Sequence, residues 1–228
     1  YVPLNQTYEV WNLKVTNKSE VKRELTITGY AEFTNNNNYE QDQVNLQYSQ
    51  FITRTEFEGD RIRHIIHGNL DWVTEGNEVD NKDVISRILA LVGAQVDSYC
   101  GDNEAFLGRY REYRNPIGVE DGKLSGEMCY NENGCGALST IMTLQPGETK
   151  EIAFIVGMKD KKEADAIIAH YTDVTKQCSD ELEELIGYWH GQLNHFQVKT
   201  PSKEFDSMIN TWNPYNCFMT FIWSRAAS

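Results

Sequence analysis

The sequence predicts a mainly β fold, a β-sandwich of antiparallel strands, followed by a helical linker and the opening helices of an all-α domain. Three observations carry this reading. From Tyr1 to Met158, apolar and polar residues alternate in short runs separated by turn residues, the pattern of strands with one buried face. After Met158 the apolar period changes to three and four, the spacing of one helix face. The final stretch, Trp212 to Ser228, is an aromatic run with one arginine, no glycine stop and no polar exit. It predicts a buried helix cut in mid-course, and hence a 228-residue piece of a larger protein. Tyr1-Val2-Pro3-Leu4, with no initiator methionine, reads the same way. The expected boundaries are a sandwich over 1–158, a helical linker over 159–200 and the start of the all-α domain over 201–228.

The elements follow in order. Tyr8 to Val15 alternates, turns at Asn17-Lys18-Ser19-Glu20, and alternates again over Arg23 to Tyr30, which predicts a hairpin. Leu46 to Thr55 and Arg61 to Ile66 form a second pair around Phe57-Glu58-Gly59-Asp60, where glycine supplies the turn. The run Asn81 to Val92 reads as a short helix between strands. Gly136 to Leu144 and Lys150 to Val156 flank Gln145-Pro146-Gly147-Glu148, a type II turn signal, and predict a third hairpin. Two loops stand out as candidates for function or for covering a core: the polar Thr34 to Glu40, and Gly101 to Met128 with four lysine or arginine side chains. Helices are expected over Lys161 to Thr172 and over Ser179 to His195, the latter capped by Ser179. A further helix starts at Thr200-Pro201-Ser202, and Pro214 should kink or interrupt it.

Composition removes several classes of function. A net charge of −13 argues against nucleic acid or an anionic membrane as partner, since both need clustered lysine and arginine. No apolar run approaches the roughly 18 residues of a membrane span. Five cysteines without a CxxC pair read as free thiols of a cytoplasmic protein, a Cys129–Cys135 disulfide being the alternative. Of the five histidines, His64 and His67 lie three apart on a strand and face opposite ways, while His190 and His195 lie five apart on a helix, off a shared face. His170 stands alone, so each reads as structural.

Arg225 differs. A guanidinium inside the run of Phe218, Phe221 and Trp223 is costly to bury without a polar partner. It either holds a helix end through an ion pair or carbonyl contact, or aims a fork of donors at an anionic or hydroxyl-rich ligand. In the second case Trp212, Tyr215 and Trp223 offer stacking surface.

Three blocks then resemble the inverting disaccharide phosphorylases of glycoside hydrolase family 94, which include cellobiose, cellodextrin and chitobiose phosphorylases. The first runs from Val2-Pro3-Leu4 through Lys14-Val15-Thr16-Asn17 to Gly29-Tyr30-Ala31-Glu32-Phe33. The second is Phe106-Leu107-Gly108-Arg109-Tyr110 to Asn115-Pro116, then Cys135-Gly136-Ala137-Leu138 and Leu144 to Glu148. The third, Met208-Ile209-Asn210-Thr211-Trp212 to Trp223-Ser224-Arg225-Ala226-Ala227-Ser228, is similar to the family pattern MxNxW…SRxAS. The resemblance implies a β-sandwich, a helical linker and an (α/α)6 barrel. It implies phosphorolysis of a β-linked disaccharide, cellobiose or a close relative, to an α-sugar 1-phosphate, with inorganic phosphate as co-substrate and no metal or organic cofactor. It further implies that Arg225 contacts the donor sugar, with Trp223 and Ser224 supporting, and that the general-acid aspartate lies outside these residues. A cytoplasmic homodimer is the expected form. A non-catalytic carbohydrate-binding sandwich, or an inverting hydrolase of the same architecture, is the alternative.

Overall fold

The computed structural model describes residues 1–33, 50–51, 53–66 and 85–223. Eight strands form two antiparallel sheets. The larger has the order β1 (Tyr8–Thr16), β8 (Thr149–Lys159), β5 (Ser86–Val92), β4 (Arg61–Ile66), β3 (Thr53–Phe57). The smaller has the order β2 (Arg23–Glu32), β7 (Gly134–Leu144), β6 (Ser98–Asp102). The β3–β4 hairpin forms with Gly59 at φ 84° in its turn, but its first strand is Thr53–Phe57 where Leu46 to Thr55 was expected, and 46–49 and 52 lie outside the described residues.

The other two predicted hairpins do not form. β1 pairs with β8 and β2 with β7, so the turns at Asn17–Glu20 and Gln145–Glu148 carry the chain from one sheet to the other. Asn17 makes the crossing. Its side-chain amide donates to the carbonyls of Val21 (2.8 Å) and Leu144 (3.1 Å), and its side-chain oxygen accepts from the Ser19 amide and hydroxyl. Its backbone exchanges hydrogen bonds with the second turn, accepting from Gly147 and donating to Glu148. The two corners are thereby stitched into one.

The predicted helix over Asn81 to Val92 is also corrected within the described residues: Ser86–Val92 is a strand, while 81–84 lie outside them. Every residue of β5 is buried because both sheet faces are covered. Leu89 and Leu91 point between the sheets and join Ile62, Leu138, Leu144, Ile152 and Phe154. Ala90 and Val92 point outward with Tyr8, Val10, Ala153 and Ile155, beneath Tyr171, Val174 and Cys178 of the following helical segment. A strand covered on both faces shows a continuous apolar run rather than an alternation.

The outer face of the smaller sheet is covered by the 101–128 connection. It carries two short helices, α1 (Asn103–Leu107) and α2 (Ile117–Glu120); Phe106 of α1 and Leu124, beyond α2, pack with Cys100, Cys135 and Ala137. Helix α3 (Lys161–His170) starts at a capping box between Asp160 and Glu163 and packs on the larger sheet's outer side. Helix α4 spans Val174–Leu193, beginning five residues before the predicted Ser179 cap. Asp173 takes that role, its carboxylate accepting from the Lys176 amide at 3.1 Å.

The chain divides into two compact units, Tyr1–Cys178 and Ser179–Ser228. In the second unit, α5 (Lys203–Ser207) opens at the N-cap Ser202 and continues through a π turn (Met208–Trp212) into α6 (Asn213–Trp223). Pro214 therefore widens the helix ahead of it rather than ending it.

Candidate functional site

Of the three residues predicted to meet substrate, Trp223 is the last residue of α6 and is 80% exposed. Ser224 and Arg225 lie outside the described residues, as do His67 and the 34–40 loop. Of the aromatics named with them, Trp212, Tyr215 and Trp223 lie within the described residues. Trp212 and Tyr215 sit edge to face, with centroids 6.4 Å apart, and both are exposed. Trp212 ends the π turn and Trp223 ends α6, eleven residues on. Trp189 of α4 meets Phe218 edge-on at 5.2 Å. No residue of α6 is buried among the described residues, and Phe221 and Ile222 are exposed together with Tyr215 and Trp223.

The helix is held at its start by side chains acting on the preceding extended segment. Asn210 clamps Val198 twice: its Oδ1 accepts from the Val198 amide and its Nδ2 donates to the Val198 carbonyl, both at 2.8 Å. Asp206 accepts from the Thr200 amide at 2.9 and 3.1 Å. The sequence pattern marked Asn210 only as part of a motif; its role needs the coordinates.

In the sandwich unit, the long 101–128 connection is fastened by polar contacts. Asn103 donates to the Tyr30 hydroxyl at 2.7 Å, and the Tyr113 hydroxyl donates to Glu32 at 2.8 Å. Tyr30 stacks on Phe106, and burial pushes its phenol well above the ordinary range. Arg111 pairs with Glu120. A groove of about 590 Å³ beside this connection is lined by Asp102, Glu104, Glu127 and Glu132, together with Arg109. Asp102 is committed to capping α1, accepting from the Ala105 amide at 2.7 Å.

Several titratable groups among the described residues of this unit sit in the core or in ion pairs. His64 is fully buried, stacked on Phe33, and neither ring nitrogen has a hydrogen-bond partner. Burial first, and the neighbouring Arg87 second, hold its pKa down to about 4, so it is neutral at physiological pH. All five thiols are free, so the Cys129–Cys135 disulfide does not form. A hydrogen bond from Cys135 lowers Cys100 to about 7, while burial pushes Cys129 up to about 11. Arg61 and Arg63, both buried, converge on Glu58, and Arg61 also reaches Asp165 of α3. Among the described residues no group of three His, Cys, Asp or Glu side chains could hold a metal ion. No described helix is long and apolar enough to cross a membrane.

Comparison with known proteins matches residues 1–174 to the glycosyl hydrolase 94 supersandwich domain, and residues 188–228 to the glycosyl hydrolase 94 superfamily catalytic domain. The N,N'-diacetylchitobiose phosphorylases of Vibrio furnissii and Vibrio proteolyticus are 31% and 30% identical over 230 aligned residues, covering all of this chain and 27% of theirs. A 3-O-beta-D-glucopyranosyl-beta-D-glucuronide phosphorylase of Paenibacillus borealis is 26% identical over 93% of this chain and 26% of its own. The chain thus spans about a quarter of the length of these relatives.

Proposed function

Because this chain belongs to the glycosyl hydrolase 94 family, we propose that the protein it forms part of is a disaccharide phosphorylase that cleaves a β-linked disaccharide with inorganic phosphate. The observation that carries this reading is the alignment of the whole chain, sandwich and helices together, with enzymes named as disaccharide phosphorylases. In the proposed reaction a carboxylic acid gives its proton to the glycosidic oxygen as the C1–O bond breaks. A phosphate oxygen forms the new bond to C1 from the opposite face, so the product is an α-sugar 1-phosphate and a free sugar. Phosphate takes the place of the base-activated water of an inverting hydrolase, and one carboxyl group suffices. We place that acid outside these 228 residues. Neither a metal nor an organic cofactor is needed for this chemistry.

Within the chain, Arg225 is the proposed donor-sugar contact, and Trp223 and Ser224 support it. For substrate, N,N'-diacetylchitobiose comes first, since the two relatives bearing that name align over the full chain at 30% identity or more. Cellobiose and cellobionic acid follow. A cytoplasmic homodimer is the proposed assembly and setting. The test is sugar release from each disaccharide with and without phosphate, read as α-sugar 1-phosphate. Release that ignores phosphate would make the protein a hydrolase.

A further inference from the structure

The helix that leads to Trp223 is not a uniform α-helix, and the cause lies in two of its own residues, Pro214 and Asn210. Pro214 has no N–H to give to the carbonyl of Asn210, and in a regular α-helix its ring would collide with that carbonyl. The structure removes the collision by widening one turn. The Asn213 amide bonds to the Met208 carbonyl, five residues back, and Met208–Trp212 form a π turn. At the centre of that turn Asn210 sends its side chain outward and closes the two 2.8 Å hydrogen bonds to Val198. The clamp fixes the widened turn against the extended segment preceding α5.

A π turn has a geometric consequence. It inserts about one residue into the helical repeat, so the faces before and after it are offset by about 100°. In α6 that offset decides which side chains point toward Trp189 and which point away. As built, Phe218 meets Trp189 edge-on, and Trp223 stands at the far end of α6. Without it, the helix after Pro214 would turn by roughly a quarter of a circle relative to α5.

We propose that Asn210 and Pro214 form a positioning device that sets the rotational register of α6, and with it the direction in which Trp223 meets substrate. The proposal rests on the phosphorylase reading for the identity of the substrate, and on the helix geometry alone for the register. Neither residue touches the reacting atoms in this account; both act through the helix they shape.

The test uses the full-length protein with Pro214→Ala, and with Asn210→Ala added to it. Pro214→Ala restores a backbone donor and removes a ring, so it should leave the melting temperature unchanged or raised. The expected result is a helix that reverts to regular α geometry in the crystal structure of the double variant, with kcat/KM for the disaccharide down about tenfold or more, as misplaced contacts produce. Persistence of the π turn in the double variant would overturn the register claim. Loss of the turn with kcat/KM within about twofold of wild type would overturn the positioning claim. If the wild-type protein itself consumes no disaccharide in the presence of phosphate, the phosphorylase reading fails instead, and the crystal structure of the double variant still decides the register.

Discussion

His64 makes the sandwich sensitive to acid in a window that the structure defines. The imidazole is enclosed by Phe33, Thr55 and Gly134, is fully buried, and makes no hydrogen bond through either nitrogen. Protonation inside the fold would place an uncompensated charge there, next to Arg87, which is why the pKa falls from 6.5 to about 4. The unfolded chain has no such penalty and takes up its proton near 6.5. Stability is therefore full above that value, falls as the pH drops toward about 4, and loses nothing further from this group below it. At about 1.4 kcal/mol per pH unit the loss across the window is about 3 kcal/mol, a large share of an ordinary domain's stability. Urea midpoints of wild type and His64→Leu, measured from pH 7.5 to 4, give the assay. Carboxylates that titrate in the same range affect both proteins alike, and any packing cost of leucine is independent of pH. The difference between the two curves should thus shrink or reverse by about 3 kcal/mol toward low pH. Parallel curves, or an imidazole seen by NMR to titrate near 6.5, would refute the reasoning.

Other consequences are more local. Asn17→Ala removes the side chain that stitches the two sheet-crossing turns and leaves the buried Leu144 carbonyl without this donor. It should cost about 1–3 kcal/mol, visible as a lower melting temperature, whereas a hairpin turn residue would cost far less. Gly29→Ala would place a Cβ about 2.4 Å from the Phe154 ring, in the inter-sheet core. Overpacking of this kind should cost about 1–3 kcal/mol, and a variant with unchanged stability would show that the ring moves freely. Arg225→Ala in the full-length protein should cut kcat/KM about a hundredfold or more with little change in melting temperature. Wild-type kinetics in that variant would remove Arg225 from the site.

The strands themselves were legible in sequence, though in burial only Tyr8–Thr16 alternates at its start, while Arg23–Glu32 is largely exposed and Gly134–Leu144 is buried along most of its length. Which strand pairs with which was not. Asn17-Lys18-Ser19-Glu20 and Gln145-Pro146-Gly147-Glu148 have the composition of hairpin turns, yet both cross between sheets. Turn chemistry bends the chain locally and says nothing about the partner waiting on the far side. β5 was mistaken for a helix because burial on both faces erases the period that separates the two. Pro214 was recognised as a disturbance, but the remedy, a widened turn held by Asn210, depends on where Val198 lies in space. Arg225 stood out on composition alone, since a guanidinium among aromatics needs an explanation whatever the fold. His64 gave no such signal. A histidine in a strand looks ordinary until its neighbours are known to offer it nothing.

The central claim is tested most directly by incubating the full-length protein with N,N'-diacetylchitobiose, cellobiose and cellobionic acid, with and without inorganic phosphate, and following α-sugar 1-phosphate by NMR. The account predicts that one of these sugars yields an α-configured 1-phosphate and a free sugar in equal amounts, and that both disappear when phosphate is left out. Equal sugar release with and without phosphate, or a β-configured product, would contradict it.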